Sequence, residues 1–79
     1  MKEKLMDNMT KYFESEYNHT KAFLERKVAL ASPRECVYNA IQRCFGVAMC
    51  IQRLDETLIL DEVEQTYNYY KEQLEKLLQ

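Results

Sequence analysis

Apolar side chains recur along most of this chain at intervals of three and four, the period of helices with one buried face. Over residues 3–31, Leu5, Met9, Tyr12, Phe13, Tyr17, Phe23, Leu24, Leu30 and Ala31 share one broad face at about 100° per residue. Asp7, Lys11, Glu14, Asn18, Lys21 and Glu25 fall opposite. Three polar residues, Glu16, Thr20 and Lys27, intrude on the apolar side. Either they lie beyond the contact with other helices, Lys27 laying its stem along the core, or they form a polar layer that fixes register or lines a partner groove.

The pattern stops at Ser32-Pro33-Arg34-Glu35 and restarts. Ser32 can cap free backbone N–H groups, Pro33 suits the first helical position, and Glu35 stands where a capping box needs its acid. A second helix is expected over 33–54. Val37, Tyr38, Ala40, Ile41, Cys44, Phe45, Val47, Ala48, Met49, Ile51 and Leu54 cover more than half its circumference. That arc is too wide for one neighbour and predicts a central helix, antiparallel to the first. Asn39, Gln42, Arg43, Gly46 and Arg53 form the remaining strip.

The next join contains no Gly or Pro. Asp61 followed by Glu64 offers a second capping box, so a connection near 55–60 and a third helix over 62–78 are expected, with Leu58 and Leu60 tucked onto the core. The seam of that helix is Val63, Tyr67, Tyr70, Leu74 and Leu77. The fold expected is a single all-α domain, a small three-helix bundle. The alternative is one unbroken helix from Pro33 onward, giving a long hairpin that buries its surface by dimerising.

Composition agrees with helices: the chain has one glycine and one proline, where average usage gives roughly nine or ten together. Seventy-nine residues allow only a modest core, and oligomerisation is a common remedy. The formal net charge of −2 argues against direct nucleic-acid binding, which relies on clustered Lys and Arg. No apolar run approaches the ~20 residues that span a bilayer. The first residues, Met1 to Asp7, lack the apolar stretch of a signal peptide. With three cysteines and no such signal, a cytoplasmic location is expected.

Little catalytic chemistry is visible. Cys36, Cys44 and Cys50 share one helix at spacings of eight and six, whereas helical metal ligands stand three or four apart. Cys36 and Cys50 would lie about 21 Å apart along the axis, too far for a disulfide. Cys44 reads as a small buried hydrophobe. His19 is the sole histidine, so one chain cannot build a catalytic triad or a two-histidine metal site. The single glycine excludes a phosphate loop. Asp55-Glu56 and Asp61-Glu62-Val63-Glu64 suit helix starts and solubility, not a calcium loop. No catalytic, cofactor or metal residues are assigned.

Gly46 sits mid-helix, where Ala is favoured by roughly 1 kcal/mol. Close approach of another backbone, within the molecule or from a partner, would account for it; a tolerated weak point is the plain alternative. Tyr69 points away from the third-helix seam, and tyrosine is enriched at interfaces. The candidate interface residues are therefore Gly46, Gln42, Arg53, Tyr69, Glu16 and Lys27, with Ser32, Glu35 and Asp61 as helix caps. The expected function is a non-enzymatic protein–protein interaction or oligomerisation module, an accessory protein of bacterial or phage type, binding itself as a homodimer or another protein. The alternative is an acidic inhibitor of a nucleic-acid-processing protein, acting through its carboxylates. A small helical enzyme with a cationic pocket ranks last, because Arg26, Arg34, Arg43 and Arg53 do not converge on the helix faces.

Overall fold

The computed structural model describes residues 2–26, 32–54 and 60–78. Three helices, α1 (Lys2–Glu25), α2 (Pro33–Leu54) and α3 (Leu60–Lys76), pack pairwise into a bundle. Because α3 lies alongside α2, the chain reverses between Leu54 and Leu60, and the unbroken long helix is excluded. The first reversal follows from lengths. From Arg26 to Ser32 the chain reaches only ~20 Å, short of the ~33 Å needed to climb back along α2 for parallel packing. Glu16, ~14 Å before the end of α1, meets Arg43, ~15 Å after the start of α2, as an antiparallel hairpin requires.

The buried hydrophobic core consists of Met9 and Phe13 from α1, Val37, Ala40, Ile41, Cys44, Ala48 and Ile51 from α2, and Val63 and Leu74 from α3. Most of it comes from α2, as expected of a helix that is apolar over a wide arc. Leu5, Met6, Tyr12, Tyr17, Leu24, Val47, Tyr67, Tyr70 and Leu77 pack around it. Every member of the α3 seam is thus in or against the core. The bundle measures 44 × 17 × 16 Å, so each helix keeps one face outward along its length.

The boundaries differ from expectation in three places. The first helix ends at Glu25, with Arg26 in a turn, and the rest of the stretch expected to be helical, 27–31, lies outside the described residues. The Arg26 N–H is shared between the carbonyls of Ala22 and Phe23, both at 3.2 Å, tightening the last turn. The third helix begins at Leu60, so Asp61 lies inside its first turn and is not the N-cap. Asp61 still opposes the positive helix end, together with Glu62. The helix closes at Lys76 through three-residue hydrogen bonds from Leu77 to Leu74 and from Leu78 to Glu75, each 3.1 Å. The tucking of Leu58 falls outside the described residues, as does the side chain of Leu60.

The second helix starts where Pro33 placed it. The Ser32 carbonyl accepts the first intrahelical bond, from Cys36 N–H at 3.0 Å. Among the described residues the Ser32 hydroxyl makes no hydrogen bond to the first turn, and Glu35 is exposed. The boundary is therefore set by backbone position and the proline, without the side-chain half of the box.

Gly46 stands in open space. A Cβ built there meets nothing within 4 Å among the described residues, so none of them approaches it closely. Gly46→Ala adds a better helix former in open space. It is expected to raise stability of the dilute protein by about 0.5–1 kcal/mol, read as a higher denaturant midpoint at unchanged slope.

Candidate functional site

Glu16 is the polar residue of α1 that the fold explains most fully. Its carboxylate accepts a forked pair of bonds from Arg43 on α2: Nε stands 3.0 and 3.1 Å from the two oxygens, and a terminal nitrogen 2.9 Å from Oε2. The Glu16 side chain is mostly covered, while Arg43 is half-exposed. Burial, together with the neighbouring Glu16 carboxylate, pushes the Tyr12 hydroxyl above its ordinary range. Glu16 thus pins α1 against α2 and is not free to meet a partner. Arg43, read from sequence as part of a solvent strip, is its fixed counterion. Thr20, another polar intruder, is buried on the same side of α1. Lys27 lies outside the described residues.

The other candidate residues do not form one surface. Gln42 borders a recess between α2 and α3, whereas Gly46 and Arg53 lie exposed on the adjoining strip of α2. Tyr69 is on the opposite side of α3, at the crevice with α1.

Sequence reasoning assigned Tyr38 and Phe45 to the apolar arc of a central helix. They are instead 60% and 48% exposed. Phe45 reaches across to α3, its ring centre 5.7 Å from that of Tyr67 in an edge-on contact. This bridge separates two shallow recesses along one α2/α3 groove. One, of about 370 Å³, is lined by Tyr38, Ile41, Gln42 and Leu78; the other, of about 260 Å³, by Phe45, Met49, Val63 and Tyr67. Arg34, Lys71 and Glu75 give the wider recess a rim of both signs. The signal was present in the spacing: Tyr38, Phe45 and Met49 recur at seven and four along the edge of the arc, where neighbouring helices reach last.

His19 is exposed, and its Nδ1 lies 2.9 Å from the Ser15 carbonyl one turn back. The depression beside it is walled by α1 alone and encloses nothing. Cys36, Cys44 and Cys50 are unbridged thiols, half-buried, buried and exposed in turn. Among the described residues no group of three His, Cys, Asp or Glu could hold a metal ion. None of the described helices is long and apolar enough to cross a membrane. Compared with known proteins, the chain matches no family model, no curated protein and no solved structure.

Two outcomes are expected from this geometry. Arg43→Met leaves the covered Glu16 carboxylate without its counterion and should cost about 1 kcal/mol, discounted for the half-exposed guanidinium. Adding Glu16→Leu should recover most of that loss, and denaturant midpoints of both variants check it. Burial pushes the Cys44 thiol up to about 11 from its ordinary 9.0. The folded state therefore holds this proton where the unfolded chain releases it, and stability should fall as pH rises from 9 toward 11. Burial also raises Tyr67 and Tyr70, which add to the fall at higher pH. Cys44→Ala should flatten the onset of the decline without abolishing the tyrosine part.

Proposed function

We propose that the protein is a non-enzymatic helical interaction module that pairs with a second copy of itself through the α2/α3 face. The observation that carries this reading is the exposure of Tyr38 and Phe45 on the helix that supplies most of the core. Among the described residues two other helices cover α2, and part of its apolar arc stays wet. Large aromatics at the centre of a groove, with polar residues around them, are the composition of interface cores and rims. The rim of both signs suits an isologous contact, in which a patch meets its own copy and a single-signed rim would repel itself. Gln42 and Gly46 continue this surface on α2, and the open space above Gly46 leaves room for a neighbouring backbone.

Light scattering after size exclusion, from low to high micromolar protein, tests the proposal. The expected mass is twice the 9.5 kDa chain, falling toward one chain on dilution. Phe45→Glu should yield single chains with helicity retained by circular dichroism. A wild-type mass near one chain at every concentration overturns self-association. If the dimer forms, Gly46→Leu tells whether the contact extends over the α2 strip: loss of the dimer includes Gly46, and an unaffected dimer confines the contact to the groove.

A further inference from the structure

A second crevice lies on the far side of α3, against α1. Three tyrosines meet in it: Tyr17 from α1, and Tyr69 and Tyr70 from α3. The rings of Tyr69 and Tyr70 stand 5.1 Å apart and nearly perpendicular, at 89°, forming a corner. Tyr70 is held from behind by the buried ring of Phe13, 5.6 Å away, so one wall of the corner is braced by the core. Tyr69 is 56% exposed and leaves aromatic surface in solvent. Glu14 lines the same crevice, near enough that its charge adds to burial in raising the Tyr70 hydroxyl. Among the described residues Glu14 has no ion-pair partner, and no Lys or Arg lines the crevice.

Aromatic faces carry negative potential, and a carboxylate beside them adds a full charge. From this arrangement we propose that the α1/α3 crevice binds an alkylammonium group, held against Tyr17, Tyr69 and Tyr70 with Glu14 as its counter-charge. A hard metal ion does not fit, since it needs several oxygen ligands and one carboxylate is too few. A planar guanidinium prefers to stack on one face. The perpendicular corner favours a compact tetrahedral cation, which touches two faces at once. The recess of about 280 Å³ is open, so binding is expected to be weak, with a midpoint on the order of tens of millimolar for a partly exposed cation–aromatic site. This site is separate from the α2/α3 groove and stands whether or not the protein dimerises.

The test is a nuclear magnetic resonance titration of the full chain with tetramethylammonium chloride, against sodium chloride at equal ionic strength. Saturable shifts confined to Tyr17, Tyr69, Tyr70 and their neighbours are expected. The neutral isostere tert-butanol should not reproduce them. Tyr69→Leu and Glu14→Gln each replace an exposed residue, and each should weaken binding by about threefold or more, whereas Tyr69→Phe, which keeps the π face, should bind within twofold of wild type. Absence of saturable shifts, equal binding of tert-butanol, or unchanged binding in both Tyr69→Leu and Glu14→Gln overturns the proposal. Titration with choline and with N-acetyl-trimethyl-lysine amide then distinguishes the source of the cation. Tighter binding of choline assigns the site to a free small molecule, and tighter binding of the lysine derivative to a side chain of another protein. Failure of both to bind overturns the site.

Discussion

The structure depends on how α2 is covered. This helix is apolar over more than half its circumference, and Val37, Ala40, Ile41, Cys44, Ala48 and Ile51 line the side that meets both neighbours. Burying that side is the main favourable term available to a chain this short. It fixes where α1 and α3 must sit, on adjacent flanks of α2 and touching each other. The small residues Ala40, Cys44 and Ala48 let them approach, while Phe13, Met9 and Leu74 fill the space between. The same constraint leaves an uncovered margin, because two helices cannot close around a third. Tyr38 and Phe45 occupy that margin.

Hydrophobic contact alone is tolerant of sliding by a turn. The Glu16–Arg43 fork supplies the directionality that the apolar contact lacks. Its bonds, 2.9 to 3.1 Å long, hold at one axial offset of α1 against α2. A shift of one helical turn, ~5.4 Å, would break all of them and leave a covered carboxylate unpaired. The pair contributes little net stability in its half-exposed setting. Its consequence is positional: with α1 fixed, Phe13 meets Tyr70, and Tyr70 in turn fixes the corner it forms with Tyr69.

The two outward surfaces of α3 therefore differ in kind. On the α2 side the exposed groups are large, mostly apolar and bordered by both signs of charge, which suits burial against a protein surface. On the α1 side tyrosine hydroxyls, amides and one carboxylate surround a smaller recess, which suits a small cation. Neither surface brings together a nucleophile, a general base or a set of metal ligands.

Helix number, the position of the turn at Pro33 and the α3 seam were legible in the sequence, because each rests on local periodicity or on the geometry of one residue. Pro33 cannot sit inside a helix without cost, and Val63, Tyr67, Tyr70, Leu74 and Leu77 can share a face only in a helix. The arc of α2 likewise announced that it would carry the core. What the arc could not say was which part of it stays wet, since Tyr38 and Phe45 have the same periodicity as their buried neighbours. Only the angular reach of α1 and α3 decides that. The intrusion of Glu16 was visible, but its partner was not, because the axial offset of two helices is a property of their packing. Gly46 allowed a close approach, within the molecule or from a partner, or a tolerated weak point, and the space beside it is open among the described residues. Sequence by itself determined the elements and the faces they bury, through interactions a few residues apart. The tertiary structure alone decided which surfaces remain exposed and which charges meet, because both depend on contacts between residues far apart in the chain.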